Sequence, residues 1–239
     1  MKQAIIVGAS SGIGRELAVQ LAAKNYQLGL MARRGERLEQ LLTDLPREHF
    51  IQCADVSNPE QARQQFAKLI ELMGDVELIV INAGVGKREK KLDWLAQREM
   101  IDVNVRGFAA MSVVAMNHFV ERGQGHLVGI SSVAAHMSGG LAPTYVASKA
   151  FVSSYLNGMR SRAEHCKLPI TVTTVEPGFV DTPMVQGQPS FWMATVDRAV
   201  AQLVQAIIDK KNHVYITKRW RLAAWILNIM PKWLMRRFF

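Results

Sequence analysis

Two features of the 239-residue chain predict an α/β fold in which helices cover both faces of a doubly wound parallel sheet. Short apolar runs of strand length alternate with stretches that have helical periodicity. In addition, 49% of the residues are hydrophobic and 21% are charged, which supplies enough apolar surface for a sizeable core. No Pro/Gly/Ser-rich linker interrupts the chain, and α/β sheets of this length often form one unit. We therefore expect a single domain.

The predicted elements alternate along the chain. An apolar run at 4–7, a glycine-rich turn at 8–14, a helix at 15–24 and a strand at 27–31 form a βαβ unit. Further strands are predicted at 50–53, 78–82, 125–131 and 170–175, and helices at 59–73 and 102–120. Strands and helices in this order are typical of a Rossmann-type sheet.

The turn after the first strand reads G-A-S-S-G-I-G and contains Gly8, Gly12 and Gly14. Glycines here let the backbone approach a pyrophosphate, while the next helix N-terminus offers unpaired N–H groups and a partial positive charge. Ser10 and Ser11 add hydroxyls that can bind phosphate or close the turn. We predict a dinucleotide site; the alternative is a glycine-rich turn that binds no ligand.

Two arginines, Arg33 and Arg34, follow the second strand, and no carboxylate stands there. In a dinucleotide site an acidic residue at this position suits the ribose 2′-hydroxyl of NAD, whereas arginine suits the 2′-phosphate of NADP. The sequence therefore favours NADP(H) over NAD(H). A pair of solvated turn residues is the alternative.

Polar residues also follow the third and fourth strands, at the carboxyl ends where open α/β sheets bind ligands. Asp55, which precedes Val56, can accept a hydrogen bond from the adenine amine, or it can cap the helix that begins near residue 58. Asn82, Ala83 and Gly84 end the fourth strand, where backbone can pass close to the adenosine.

Tyr145 and Lys149 lie four residues apart in Y-V-A-S-K, thirteen residues after Ser132. Positions i and i+4 share one helix face, so the phenol and the ammonium can point into one cleft. An ammonium beside a phenol lowers the tyrosine pKa from about 10. The pattern predicts a tyrosine that donates and accepts protons near neutral pH. An ordinary helix pair is the alternative.

Taken in order over about 3–205, the glycine turn, Asn82-Ala83-Gly84, Ser132, the Y-x-x-x-K pair and Pro177-Gly178 resemble the short-chain dehydrogenase/reductase (SDR) family, in its classical subfamily. The resemblance implies a catalytic tetrad of Asn104, Ser132, Tyr145 and Lys149. It also implies a cofactor-binding set of Gly8, Ser10, Ser11, Gly12, Ile13, Gly14, Arg33, Arg34, Asp55, Val56, Asn82, Ala83, Gly84, Tyr145, Lys149, Pro177, Gly178, Val180 and Thr182. Val7 and Ile81 depart from the family pattern, which puts only local hydrogen bonds in question.

The activity implied by the resemblance is NADP(H)-dependent interconversion of a carbonyl and an alcohol by hydride transfer. In reduction, Tyr145 protonates the developing alkoxide and Ser132 donates a hydrogen bond to the same oxygen. Lys149 lowers the pKa of Tyr145 and binds the nicotinamide ribose, and Asn104 holds a proton-relaying water. The alternatives are a cofactor-binding sensor or scaffold without turnover and an epimerase or dehydratase on the same fold. Such reductases also commonly form dimers or tetramers of identical chains.

A hydrophobic or lipid-like substrate is predicted from the turn-rich segment 183–196, which we interpret as a lid. The candidate pocket residues, chosen by position, are His136, Met137, Leu141, Met184, Phe191, Trp192 and Met193. Core packing is the alternative for this cluster. None of the six histidines falls in a metal-binding pattern, so we expect no metal.

The positive charge of the chain is concentrated at its C-terminal end. Residues 1–209 hold 21 basic and 20 acidic side chains, whereas 210–239 hold 8 basic and no acidic ones. We assign 1–209 to the Rossmann-fold catalytic domain and 210–239 to a basic, aromatic tail. Tryptophans and basic residues over 218–239 fit a helix on an anionic membrane surface. An oligomer contact is the main alternative, and nucleic-acid binding is disfavoured by the many Leu, Ile and Met residues.

A cytoplasmic location is predicted from two features. Cys53 and Cys166 lie far apart in sequence and in no C-x-x-C pattern, which fits a reducing compartment. The N-terminal residues run directly into a strand and lack the regions of a signal peptide. The tail would add peripheral contact with a membrane, but its longest uninterrupted apolar stretch is too short to span one.

Overall fold

A computed structural model describes residues 1–185, 191–231 and 233–235. Its strands are β1 Gln3–Val7, β2 Gln27–Ala32, β3 Phe50–Cys53, β4 Leu78–Ile81, β5 Gly125–Ile130, β6 Ile170–Pro177 and β7 His213–Ile216. Its α-helices are α1 Gly12–Ala23, α2 Gly35–Asp44, α3 Pro59–Met73, α4 Trp94–Ile101, α5 Phe108–Arg122, α6 Pro143–His165, α7 Val196–Ile208 and α8 Trp220–Ile229. The strands form one sheet in the order β3-β2-β1-β4-β5-β6-β7, and every neighbouring pair is parallel.

Helices cover both faces of this sheet. Leu17 of α1 packs with Ile6 in one buried cluster, to which α2 and α7 also contribute. Phe66 of α3 packs with Ile5 in a second cluster on the opposite face, together with α5 and α6. Strands buried on both faces favour continuous apolar runs, as in β1 and β4, whereas β6 also buries Thr173, Thr174 and Glu176. The predicted doubly wound parallel sheet in a single domain is confirmed.

The strand order creates a crevice at the carboxyl end of the sheet, between β1 and β4. From β1 the chain passes outward to β2 and β3 and then returns to the other side of β1 to form β4. The connections leaving β1 and β4 therefore diverge at the carboxyl ends of these strands, which is where ligands bind in open α/β sheets.

The helix predicted at 102–120 differs from the observed one. A π-helical turn, Asp102–Gly107, joins α4 to α5. A Cβ atom at Gly107 would lie 2.5 Å from the carbonyl oxygen of Val56, so only glycine permits this close approach to the loop after β3. Such turns are frequent at functional sites, and this one contains Asn104.

The C-terminal segment continues the fold beyond residue 210. β7 adds a seventh strand beside β6, and α8 buries Trp220, Ala224 and Leu227 against Val133. The charge shift near residue 210 therefore does not mark the edge of the sheet, because β7 follows it and pairs with β6. Residues 232 and 236–239 of the predicted tail lie outside the described part. Among the helices described, none is long and apolar enough to cross a membrane.

Candidate active site

A cavity of about 370 Å³ opens at the carboxyl ends of the strands, within the range of small-molecule sites. The predicted residues that line it are Gly8, Ser10, Ser11, Gly12, Ile13, Arg33, Arg34, Asp55, Val56, Asn82, Ala83, Gly84, Ser132, Tyr145, Lys149, Pro177, Gly178, Val180 and Thr182. Two other predicted residues, Gly14 and Asn104, lie behind this lining. The fold therefore brings the sequence-predicted residues to one place.

The glycine turn owes its shape to close backbone contacts. Gly8 has a φ of +92°, and a Cβ atom there would lie 2.5 Å from the nitrogen of Ala83. At Gly14 a Cβ would lie 2.1 Å from the carbonyl oxygen of Gly8, so Gly14 packs α1 against the turn and does not face the cavity. Asn82 donates from Nδ2 to the same oxygen at 2.8 Å, which ties the end of β4 to the turn.

The N-terminus of α1 presents an electropositive surface to the cavity. Ser11 is the N-cap residue, but its side chain does not cap the helix, and the first turn contains no acidic residue. The Nη2 atom of Arg34 donates to the hydroxyl oxygens of Ser10 and Ser11, both at 3.0 Å. Free helix N–H groups, two hydroxyls and a guanidinium thus lie together, a combination suited to phosphate.

The second arginine lies among carboxylates. Nη1 of Arg33 is 3.6 Å from Oδ2 of Asp55 and 3.8 Å from Oε1 of Glu99. Oδ1 of Asp55 accepts from the backbone N–H of Ser57 at 2.9 Å. Asp55 therefore closes the turn before α3, and the alternative that it caps this helix is wrong.

Arg37, which the sequence reasoning missed, adds positive charge beside this pair. Burial, followed by the charges of Arg37 and Arg33, lowers the pKa of Arg34. Like charges held this close repel one another, so an anion placed among them would be stabilised.

The Y-x-x-x-K pair lies on the first two turns of α6, which begins at Pro143, a residue suited to this helix position. Ser132 follows β5 and faces Tyr145, with which it forms a hydrogen bond. Lys149 is buried; its Nζ donates to the Ile130 carbonyl oxygen at 3.0 Å and lies 5.9 Å from the centre of the Tyr145 ring. Three groups able to donate protons or hydrogen bonds therefore share one wall of the cavity.

Burial controls the protonation of these groups. It lowers the pKa of Lys149 to about 8 and raises the pKa of Tyr145, an effect that the hydrogen bond with Ser132 opposes. The net lowering of the Tyr145 pKa that the sequence predicts is therefore not found, because burial outweighs the hydrogen bond with Ser132; the contribution of Lys149 to this pKa stays a prediction. The ammonium is held by the Ile130 carbonyl, and the loss of water around the phenol is the larger effect.

Asn104 connects two elements of the site from behind. Its Oδ1 accepts from the N–H of Val85, and its Nδ2 donates to the Val85 carbonyl and to the hydroxyl of Ser148 at 2.8 and 2.9 Å. The side chain is almost fully buried and holds the loop after β4 against α6. The proton-relaying water stays a prediction.

A buried carboxylate that sequence reasoning missed lies beneath this wall. Glu176, on β6, accepts from Ser153 at 2.7 Å and lies 2.7 Å from Nε2 of His136 and 3.3 Å from Nε2 of His213. Burial would raise its pKa, but the hydrogen bonds with His136, His213 and Ser153 together lower it to about 2. A single acidic residue within the predicted strand was the available signal.

The substrate-pocket prediction is largely wrong. Of the seven candidates, only Met184 lines the cavity. His136 bonds to Glu176, Met137 packs in the cluster beneath α8, and Leu141 is exposed. The remaining three also lie outside the cavity lining, and Phe191 and Trp192 stack near Trp220. These residues were chosen by their position in the sequence, which does not show that several of them pack against α8.

The segment interpreted as a lid, 183–196, is described in part. Residues 186–190 lie outside the described residues, while Thr182 to Val185 line the cavity. Gly86, which the sequence reasoning missed, lies beside this loop: a Cβ there would be 2.9 Å from Cδ2 of Tyr145 and 3.5 Å from the sulfur of Met184. Across 1–185, 191–231 and 233–235, no group of His, Cys, Asp and Glu side chains could hold a metal ion.

The sequence model of the short chain dehydrogenase family matches residues 2–191. The chain belongs to this family. It is thus an SDR oxidoreductase, and the resemblance predicted from the sequence is confirmed.

Two relatives and one solved structure illustrate the match. An uncharacterized oxidoreductase of Mycobacterium tuberculosis is 35% identical, with 98% of this chain and 96% of the relative covered. Farnesol dehydrogenase of Aedes aegypti is 34% identical over 77% of this chain and 79% of that protein. A short-chain dehydrogenase from Sphingobium yanoikuyae in complex with NADPH superposes with a TM-score of 0.81 at 22% identity, covering 94% and 92% of the two chains. This last likeness supports the fold.

Proposed function

We propose that this SDR protein is an NADP(H)-dependent oxidoreductase that interconverts a carbonyl and an alcohol on a hydrophobic, lipid-like substrate. One observation carries the proposal: Ser132, Tyr145 and Lys149 line the same cavity as the glycine turn and the two arginines after β2. A proton-donating wall and a phosphate-binding wall in one cavity are what hydride transfer from a dinucleotide requires.

The positions of three glycines in the cavity wall support binding of a dinucleotide. Gly8 and Gly12 have positive φ angles, which glycine adopts without strain, and neither places a side chain over the cavity. A Cβ at Gly84 would lie 3.2 Å from Nζ of Lys149, so glycine keeps the space beside the ammonium open. We assign Gly8, Gly12 and the N-terminus of α1 to the pyrophosphate, and Arg33 and Arg34 to the 2′-phosphate of NADP(H). Bound NADP(H) supplies or accepts the hydride.

The residues of the other wall then handle the proton. In reduction, the hydroxyl of Tyr145 donates its proton to the carbonyl oxygen of the substrate, and Ser132 donates a hydrogen bond to the same oxygen. Lys149, positively charged below a pH of about 8, stabilises the phenolate that Tyr145 leaves behind. In oxidation, Tyr145 accepts the proton of the alcohol.

Two observations support the finer parts of the proposal. The crowded charges of Arg33, Arg34 and Arg37 favour the additional phosphate of NADP. Met184 gives the cavity an apolar wall beside Tyr145, and a relative of 34% identity is named for farnesol, a lipid-like alcohol. The cytoplasmic location and the homo-oligomeric state stay predictions.

Kinetic screening of the purified protein tests the proposal. NADPH and NADH are each offered with short aldehydes, ketones, 3-oxoacyl compounds and long-chain or isoprenoid aldehydes, and nicotinamide absorbance is followed. We expect NADPH oxidation, with the highest kcat/KM for the apolar carbonyls. Cofactor binding with no turnover of any carbonyl would favour the sensor alternative. Equal kcat/KM with NADH would contradict the NADP preference.

A further inference from the structure

Helix α8 has an exposed apolar face in addition to its buried one. Leu222, Trp225, Ile226 and Ile229 are between 42% and 61% exposed, and Trp233, just beyond the helix, is 68% exposed. The spacing of the four helix residues places them in one stripe. We call these five residues the α8 face. Helices on a protein surface normally present polar residues to water, so this face indicates a contact.

The charges around the α8 face are of one sign. Lys218, Arg219 and Arg221 stand at the start of the helix, and the sequence has three further basic residues after it. The chain contains no acidic residue beyond Asp209. An apolar face flanked by basic residues alone complements an anionic surface.

The buried side of α8 contacts two exposed apolar residues that follow the cavity loop. Phe191 and Trp192 are exposed, and their rings lie 5.5 and 5.7 Å from the ring of Trp220. Nη2 of Arg219 also donates to the Trp192 carbonyl at 2.7 Å. Trp220 itself packs against Gly178, where a Cβ would lie 2.0 Å from Nε1, and Gly178 lines the cavity. Helix α8 therefore carries the exposed face on one side and, through Trp220 on its other side, supports the cavity wall at Gly178.

We propose that the α8 face docks the protein onto an anionic membrane surface. Tryptophan and basic side chains favour the headgroup region of a bilayer, and the apolar stripe would lie at the boundary with the acyl chains. A lipid-dissolved substrate would then reach the cavity from the membrane side; this second part rests on the proposed function.

A second copy of the chain fits this face less well. In a two-fold symmetric contact the same patch lies on both subunits, so the basic residues of one copy would meet those of the other. No acidic side chain in 210–239 is present to offset that repulsion. An anionic lipid surface supplies the missing charge.

Co-sedimentation of the full chain with lipid vesicles tests the docking. The probes are phosphatidylcholine vesicles with and without phosphatidylglycerol. The test variant is Trp225→Ala with Ile229→Ala, and the matched control is Trp94→Ala with Leu72→Ala, whose side chains are equally exposed on α4 and α3. We expect wild type and control to bind anionic vesicles in a salt-sensitive manner, and the test variant to bind them roughly tenfold or more weakly.

Three results would overturn the docking proposal: equal binding to neutral vesicles, equal binding by the test variant, or an equal loss in the control. So would a wild type that runs as a larger species than the test variant on a sizing column, because the face would then join copies of the chain. Vesicle binding needs no turnover, so it is informative even if the proposed function fails.

Substrate entry from the membrane side has a kinetic test. The test variant should raise the apparent KM of a long-chain aldehyde held in vesicles but not that of a short soluble aldehyde. Equal KM changes for the two aldehydes would contradict entry from the membrane.

Discussion

Lys149 carries a charge that depends on pH within the working range of most enzymes. Burial lowers its pKa to about 8 and raises the pKa of Tyr145, so Lys149 loses its proton first as the pH rises. We predict that kcat/KM for carbonyl reduction is constant below this pH and falls as the pH rises through about 8. A pH profile with NADPH measures this. A profile that stays flat up to the titration range of tyrosine itself would contradict it.

Glu176 holds together the elements beneath the proposed catalytic wall. A carboxylate only accepts hydrogen bonds, so Ser153 donates to it and the proton of Ser131 is left for the Lys149 carbonyl or the Ser153 oxygen. Removing the charge of a buried, hydrogen-bonded carboxylate leaves its partners uncompensated. We expect Glu176→Gln to lower the free energy of unfolding by about 3 kcal/mol. Urea unfolding measures this, and a loss near zero would show that the network adds nothing.

The same network predicts how stability depends on pH. The pKa of Glu176 is lowered from 4.5 to about 2, so its contribution is present above pH 4.5 and is lost as the pH falls toward 2. The hydrogen bond to Glu176 raises the pKa of His136 above 6.5, so that contribution is present below pH 6.5 and is lost as the pH rises through the raised value. Both act together between pH 4.5 and 6.5. We expect the difference in unfolding free energy between the wild type and Glu176→Gln to be largest in this range; a difference that does not change with pH would contradict it.

At the scale of elements, the packing of α1 onto the glycine turn depends on Gly14. An alanine Cβ there would lie 2.1 Å from the carbonyl oxygen of Gly8, whereas Gly158 in the middle of α6 has no atom within 4 Å of that position. We predict that Gly14→Ala costs at least about 2 kcal/mol of unfolding free energy through overpacking. The control Gly158→Ala should stabilise by about 0.5–1 kcal/mol. Urea unfolding compares them, and equal effects would contradict the packing account.

In the proposed function, the loop after β2 sets the preference for NADP(H) over NAD(H). A charge-assisted contact to the 2′-phosphate contributes about 1.5 to 3 kcal/mol, so Arg33→Ala and Arg34→Ala should each weaken NADPH roughly tenfold to a hundredfold while NADH changes much less. Arg63→Ala, an exposed arginine on α3, is the control. Cofactor titration by tryptophan fluorescence measures the affinities. If both cofactors weaken equally, neither arginine reads the phosphate.

Sequence patterns predicted the strands from β1 to β6. The clearest were β1 and β4, because burial on both faces favours continuous apolar runs. β7 was missed because a four-residue strand lies among the 8 basic residues of 210–239. A helix was predicted over 218–239, but the sequence did not show that α8 buries one side against the sheet domain. The π-helical turn before α5 was missed because hydrophobic periodicity does not reveal one extra residue in a turn.

The candidate site was predictable to a similar extent. Residue types at fixed spacing located Ser132, Tyr145 and Lys149, because a helix fixes which residues share a face. The sequence did not show that burial raises the pKa of Tyr145 more than the hydrogen bond with Ser132 lowers it, because desolvation depends on elements far apart in the chain. Glu176 was overlooked for the same reason. Its partners His136, Ser153 and His213 lie on a 3-10 turn, on α6 and on β7, which only folding brings together.

At the scale of the whole molecule, the C-terminal segment is joined to the catalytic side of the sheet. His136, on the 3-10 turn after Ser132, lies 2.7 Å from Glu176 and 2.9 Å from Asn228 of α8. The helix with the exposed face therefore contacts the turn that follows the proposed oxyanion donor. Surface attachment and catalysis would thus involve neighbouring parts of one domain.

The central claim is that Tyr145 transfers the substrate proton within a cavity that holds NADP(H). Tyr145→Phe keeps the ring and removes only the hydroxyl, so NADPH should bind with unchanged affinity while carbonyl reduction falls by at least about 100-fold. The most direct measurement is single-turnover reduction of an aldehyde by the NADPH-loaded variant, with NADPH affinity determined on the same sample. Loss of the reaction with affinity retained is the predicted result. A variant that reduces the aldehyde at the wild-type rate would contradict the account.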